Sequence, residues 1–202
     1  MSWWRLFLSL LGGYLLGSVS VAIMLTRRHG GDVRDKGSGN AGATNVARVY
    51  GIWTGLATLL GDGVKTAVAM LLVGRLLAGE PGMAAAAFGC LLGHCFPLYF
   101  RFRGGKAVSV GGTIALCLDW RLFLIILAVF LILAFSTKRV SAGSMAAAAA
   151  FPLGMLVLGG FPWYSLALGF FIAVFVIFMH RGNLKRLLHG TEPEFKLGKR
   201  TN

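Results

Sequence analysis

Residues 6–26 read LFLSLLGGYLLGSVSVAIMLT, 21 positions without one charged side chain. A helix rises 1.5 Å per residue, so this stretch covers roughly the ~30 Å of a bilayer's hydrocarbon core. Arg27-Arg28-His29 ends it, and Trp3-Trp4 stands before it, where aromatic side chains settle at a membrane interface. The apolar run is too long for a secretory leader and has no small-residue cleavage site, so it is expected to be the first spanning helix.

The pattern repeats along the chain. Of 202 residues, 56% are hydrophobic and 13% charged, with a mean hydropathy of +0.74. Apolar runs over residues 52–77, 83–99, 107–118, 122–135, 145–158 and 163–179 predict six further helices. The expectation is an all-α polytopic membrane protein of about seven transmembrane helices, one domain over residues 1–202. The third, fourth and fifth of these further runs are short for a span, and a five-span arrangement is the alternative. The three cysteines, Cys90, Cys95 and Cys117, fit neither a disulfide framework nor a zinc pattern and read as small apolar fillers.

Lys and Arg number 20 against 7 Asp and Glu, a net charge of +13. No arginine tract interleaved with aromatics points to nucleic acid, so none is expected as a partner. In a membrane chain the excess records the positive-inside bias and suits anionic lipid and phosphorylated substrates. With seven spans, sixteen cations fall on one side, among them Lys196, Lys199 and Arg200, and only Arg5, Arg75 and Arg121 on the other. That places the N-terminus outside and a basic tail from about residue 180 in the cytoplasm.

The longest polar, glycine-rich stretch is Gly37-Ser38-Gly39-Asn40-Ala41-Gly42-Ala43-Thr44-Asn45. Its glycines allow φ > 0, so that successive N–H groups can converge in an anion-binding nest. Ser38, Asn40, Thr44 and Asn45 add polar side chains, and Lys36 and Arg48 add positive charge. A plain turn has a similar composition, but nine residues are much polar backbone to leave idle between membrane helices. The spacing Gly37-x-Gly39-x-x-Gly42 is that of a dinucleotide fingerprint, yet the buried strand which that motif needs is missing.

Three other groupings lie on the same predicted face. Gly104-Gly105-Lys106 is a second candidate anion cradle or a hinge with a snorkelling lysine, and Phe100 rules out a Walker loop. His94 precedes it at a helix end. The Lys138–Ser144 loop carries Ser141 and Ser144. His180-x-x-Asn183-x-x-Arg186 aligns imidazole, amide and guanidinium on one helical face, as a phosphate or hydroxyl substrate requires. Inside the second helix, Asp62 and Lys65 share a face. An intramembrane charge is a functional candidate by default, and the alternative is an internal ion pair fixing the helix. No metal-ligand spacing, Gly-x-Ser-x-Gly or His-x-x-x-x-Asp occurs, so no metal or cofactor is expected.

Taken together, these motifs resemble those of the bacterial acyl-phosphate:glycerol-3-phosphate acyltransferases, the PlsY family. Residues 37–45 resemble the first motif, 93–97 through 102–108 the second, and 180–192 the third. Asp62-x-x-Lys65 and Arg139-x-Ser141-x-x-Ser144 also fit. Ala107 stands where the family usually has glycine, and Ser109-Val110 where Ala-Thr is commoner.

The resemblance implies transfer of a fatty acyl group from acyl phosphate to the 1-hydroxyl of sn-glycerol 3-phosphate. The products would be lysophosphatidic acid and inorganic phosphate, in the first step of phospholipid synthesis. It implies catalytic roles for Ser38, Asn40, Lys106, His180 and Asn183. It implies substrate-binding roles for Gly37, Gly39, Asn45, Arg48, Lys65, His94, Gly104, Gly105, Ser141, Ser144, Arg186 and Glu192. His180 is a candidate general base, with the phosphate of a substrate as the other proton acceptor. The implied setting is a monomer in the bacterial cytoplasmic membrane, in contact with lipid, its active site facing the cytoplasm. A transporter of anionic phosphorylated metabolites would use similar basic loops, but would concentrate polar groups near the midplane.

Overall fold

The computed structural model describes residues 2–195. The cations Lys196, Lys199 and Arg200 of the expected basic tail lie outside that range. All regular structure among the described residues is helical. The residues fall into two compact units, 2–110 and 111–195.

The first unit is built on a helix crossing. Helix α1 (Trp3–Gly17) packs along α5 (Arg75–Cys95). Both carry glycines four apart, Gly13 and Gly17 on α1, Gly89 and Gly93 on α5. A Cβ on Gly13 would strike the Ala86 carbonyl, and one on Gly17 the Cys90 carbonyl. A Cβ on Gly89 or Gly93 would strike the carbonyls of Leu10 or Tyr14. Backbone lies against backbone, which is how membrane helices gain packing without a hydrophobic driving force. The first apolar run is not one unbroken helix. It stops at Gly17 and resumes as α2 (Val21–Arg28), whose cap Ser20 accepts from the Ile23 N–H.

Helix α3 (Ala43–Tyr50) and helix α4 (Ile52–Ala67) follow, separated by Gly51 at φ 93°. A π-helical turn, Val68–Gly74, joins α4 to α5. Near its start α5 breaks at Ala78 (φ −147°) and Gly79 (φ 63°). A Cβ on Gly74 would meet the Gly82 carbonyl, although residues eight apart on a straight helix are about 12 Å apart. The chain therefore folds back at Ala78–Gly79, just before the turn expected at Glu80-Pro81-Gly82, and those three residues instead open the returning helix. Helix α6 (Val108–Leu118) carries the chain into the second unit.

In that unit α7 (Trp120–Thr137) and α8 (Val140–Leu158) form a hairpin, with Lys138 left-handed at φ 57° between them. Gly159 and Gly160, both at positive φ, turn the chain into α9 (Trp163–Met179). A short α10 (Arg181–Leu188) is bent 61° from α9. Phe151 and Met155 on α8 and Ile172 and Val176 on α9 are among this unit's buried side chains.

Four helical stretches are long and apolar enough to cross a membrane, Trp3–Arg28, Ile52–Phe100, Trp120–Thr137 and Val140–Leu158. The bent pair α9–α10 makes a fifth. With 11 residues, α6 is about 16 Å long, short of a bilayer core. Trp53 (80% exposed), Phe135 (78%) and Val157 (83%) belong to an apolar outer surface suited to lipid.

Candidate active site

In the first unit the glycine-rich stretch is organised by one side chain. Asn45 is 1% exposed. Its Oδ1 accepts the Ser38 N–H at 2.9 Å, and its Nδ2 donates to the carbonyls of Val33, Lys36 and Asn40 at 3.0–3.1 Å. Gly37 (φ 59°) and Gly39 (φ 70°) take the left-handed backbone this wrapping requires. A Cβ on Gly37 would collide with the Asn45 Oδ1.

The stretch is not loop to its end. Helix α3 begins at Ala43, because Val46 and Ala47 bury an apolar stripe and Gly42 enters extended. Thr44, Asn45 and Arg48 are therefore helical. The expected cradle also changes. Ser38 N–H is given to Asn45 and Gly39 N–H to the Lys36 carbonyl at 3.1 Å. The first amides of α3, those of Ala43 and Thr44, have no intrahelical acceptor, and no side chain caps the helix. A helix start of this kind attracts phosphate. The Ser38 side chain is exposed and Asn40 half-buried, its amide nitrogen against Gly42. Lys36 lies over the Tyr50 ring at 5.4 Å, and Arg48 is half-buried on the last turn of α3.

Residues before and after the stretch, absent from the expected set, hold it in place. Thr26 Oγ1 accepts the Val33 N–H, fixing the buried Val33 beneath the loop. Asp32 accepts the Arg34 N–H and two guanidinium bonds, at 3.0 and 2.8 Å. The Arg34 hydrogen bond holds the Asp32 carboxyl down at about 2, against a smaller opposing effect of burial. Arg34 Nη1 reaches on to the carbonyls of Phe100 (2.7 Å) and Arg103 (3.2 Å). Aspartate two residues before arginine, at the start of a turn, is the sequence signal for this clamp.

Gly104 and Gly105 do not form a second anion cradle. Their N–H groups donate at 3.0 Å to the carbonyls of Cys95 and His94, closing the C-terminal end of α5. A Cβ on Gly104 would strike the His94 carbonyl and one on Gly105 the His94 ring. These glycines permit close approach, and the half-buried Lys106 follows directly.

His94, Asp62 and Lys65 form one buried cluster. Lys65 Nζ lies 2.9 Å from Asp62 Oδ1 and 3.2 Å from His94 Nδ1. It also reaches the carbonyls of Gly17 (3.1 Å) and Val19 (2.8 Å), exposed by the break between α1 and α2. Asp62 Oδ2 accepts from Ser109 at 3.3 Å. Here the internal-ion-pair reading describes the geometry. Lys65 has three protons and at least three close acceptors, so it ties helices together.

In the second unit the hub is Glu192. Its Oε1 accepts from Ser141 Oγ and Asn183 Nδ2, both at 2.6 Å, and its Oε2 from Arg186 Nε at 2.7 Å. Arg139 Nε donates to its carbonyl at 3.1 Å. Burial raises the Glu192 pKa, but the bonds from Ser141, Asn183 and Arg186 outweigh it and hold the carboxyl below its usual range. The expected 138–144 loop is helical from Val140, so Ser141 and Ser144 lie in the first turns of α8. Ser144 Oγ donates to the Val140 carbonyl. His180, 4% exposed, sits at the α9–α10 bend with Nδ1 2.8 Å from the Val176 carbonyl. A carbonyl can only accept, so Nδ1 carries a proton.

A sequence model described as glycerol-3-phosphate acyltransferase matches residues 7–190. A glycerol-3-phosphate acyltransferase of Syntrophotalea carbinolica is 41% identical over 94% of this chain and 97% of its own. That of Thioalkalivibrio sulfidiphilus is 43% identical over 95% and 93%. Two crystal structures of PlsY, an integral membrane glycerol 3-phosphate acyltransferase, are similar at 30% identity. The glycerol 3-phosphate form has a TM-score of 0.89 over 95% of this chain and 96% of that one. The lysophosphatidic acid form scores 0.84 over 96% of each. Sequence and fold agree over nearly the whole length, and the chain belongs to the glycerol-3-phosphate acyltransferase family.

Proposed function

We propose that this acyltransferase moves a fatty acyl group from acyl phosphate to the 1-hydroxyl of sn-glycerol 3-phosphate. The bond from acyl carbon to phosphate oxygen breaks, and an ester bond to the hydroxyl oxygen forms. Lysophosphatidic acid and inorganic phosphate leave. Because the donor is already activated, no acyl-enzyme is needed.

The observation that carries this reading is the Asn45-clasped stretch leading into the uncapped start of α3. Donors fixed in advance are what a developing oxyanion and a departing phosphate require. The Ser38 hydroxyl, the Asn40 amide and the amides of Ala43 and Thr44 take that role. Gly37 and Gly39 permit the conformation, and Asn45 positions it. Arg48, Lys106, Ser144, His180 and Asn183 bind glycerol 3-phosphate. Lys65 and His94 act indirectly, by fixing Gly105, and Gly104 and Gly105 set the approach to Lys106. Ser141, Arg186 and Glu192 hold Asn183. His180 meets the 1-hydroxyl of glycerol 3-phosphate, and the proton departs with the phosphate.

The proposed setting is a single-domain monomer in the bacterial cytoplasmic membrane, with seven passes, α6 the shortest, and the N-terminus outside. Its support is the charge bias: thirteen described cations on the proposed inner side against Arg5, Arg75 and Arg121. The test of function is an assay of purified protein with palmitoyl phosphate and sn-glycerol 3-phosphate. Equal amounts of lysophosphatidate and phosphate are expected. Turnover with acyl-CoA alone would overturn the donor.

A further inference from the structure

A cavity of about 350 Å³ in the first unit is lined by residues with no part in the proposed chemistry, among them Arg27, Asp32, Arg34, Tyr99, Arg101 and Arg103. Its charge is one-sided. Arg34 and Asp32 neutralise each other, and Arg34 spends its remaining nitrogen on the carbonyls of Phe100 and Arg103. That leaves the guanidinium groups of Arg27, Arg101 and Arg103 against the carboxylate of Asp35 alone. Arg27 touches Asp32 only at 3.4 Å, is 57% exposed, and lies over the Phe100 ring at 5.5 Å.

The backbone places these cations at some cost. Arg101 (φ 58°) and Phe102 (φ 55°) are consecutive left-handed residues, and neither is glycine. Left-handed backbone is strained for a residue that carries a Cβ. The two Arg34 bonds, to Phe100 and Arg103, bracket this strained pair and hold it. Strain kept by surrounding structure is a reason to ask what the side chains do.

The cavity's level in the membrane follows from its elements. Arg27 ends the stretch Trp3–Arg28, and Tyr99 and Phe100 end Ile52–Phe100. Leu98, Tyr99 and Phe102 beside it are each about half exposed. Apolar and aromatic side chains next to arginines at a span's end mark the headgroup region.

We propose that this cavity is a binding site for the phosphate headgroup of an anionic membrane lipid, held by Arg27, Arg101 and Arg103, with the acyl chains lying along Leu98 and Phe102. Guanidinium groups match phosphate oxygens in forked pairs. The site is separate in its residues from those proposed to bind glycerol 3-phosphate, so its occupancy is measurable without turnover.

The test is native mass spectrometry of the protein released from phosphatidylcholine nanodiscs containing phosphatidylglycerol. The wild type is expected to retain one phosphatidylglycerol. The double variant Arg101→Asn, Arg103→Gln is expected to bind about thirtyfold more weakly, roughly fivefold for each basic residue near an anionic surface. Asn tolerates the left-handed position. Arg27→Gln, which leaves the strained turn untouched, is expected to weaken retention about fivefold on the same basis. Phosphatidylglycerol retained equally by all three proteins would overturn the proposal. So would its displacement by millimolar inorganic phosphate, which would make the site one for free phosphate. Unchanged turnover of Arg27→Gln in phosphatidylcholine alone is expected, and a lost basal activity would assign the cavity to the reaction instead.

Discussion

Asn183 Nδ2 lies 2.6 Å from Glu192 Oε1, the same oxygen that accepts the Ser141 hydroxyl. A residue expected to bind an anionic substrate is thus itself held by an anion. Glu192 cannot attract a phosphate. It draws α8, α10 and the segment after α10 together and fixes which way the Asn183 amide points.

Glu192→Gln should therefore raise the KM for glycerol 3-phosphate more than it lowers kcat. It should also cost about 1.5–3 kcal/mol, the range for hydrogen bonds to a charged group. Because the folded pKa is depressed, the stabilisation is present above the unfolded value near 4.5 and is lost as pH falls through the folded value. Melting curves from pH 7 to pH 3.5 should show the wild type losing more stability than the variant. Parallel losses would remove Glu192 as the hub.

Asn45 makes a comparable point in the first unit. Asn45→Ala gives up one accepted bond and the bonds of one amide, and about 2–3 kcal/mol should be lost, at about 1 kcal/mol each. Asn45→Asp should be worse, because a carboxylate would face the carbonyls of Val33, Lys36 and Asn40. Thermal midpoints in detergent decide the order, and an aspartate variant as stable as alanine would refute the clasp. Turnover should fall in both.

What the sequence made legible divides along physical lines. Apolar runs give helices because backbone groups in lipid must be satisfied within the segment, and α9 falls on the predicted residues 163–179. The glycines Gly13, Gly17, Gly89 and Gly93 carried a packing signal that was there to be read. Gly104 and Gly105 looked like an anion cradle, since composition cannot tell free N–H groups from those that close a helix end. The break at Gly17–Ser20 was hidden for a similar reason. Its freed carbonyls are satisfied by Lys65, 46 residues away from Val19, and no local pattern reveals so distant a partner. Asn45 was legible as a site residue but not as the clasp, because its four bonds run to backbone.

Ala107 stands where its relatives were expected to carry glycine, and it is left-handed at φ 60° and fully buried. Ala107→Gly relieves about 1–2 kcal/mol of backbone strain. Against this stand roughly 0.4–1 kcal/mol of unfolded-chain entropy and about 0.8 kcal/mol for a buried methyl. The net change should be within about 1 kcal/mol of zero. Ala107→Val adds a branched side chain at the same φ in a fully buried position, and should cost several times more. Paired melting curves test this, and a valine variant as stable as glycine would mean that the position is not constrained.

Lys65 is the sharpest test of what buried charge does here. Lys65→Met leaves Asp62, 1% exposed, without its cation, and breaking one side of a buried pair costs about 3–5 kcal/mol. It also abandons the carbonyls of Gly17 and Val19. Asp62→Asn in the same chain removes the stranded charge but not the stranded carbonyls. The double variant should therefore recover part of the lost stability and still fall short of wild type. Four melting curves, for wild type, each single variant and the double, give the coupling directly. Full recovery would show that Lys65 serves only Asp62, and no recovery would show that the break between α1 and α2 is its sole purpose. Partial recovery, with turnover following stability, is the result this geometry requires.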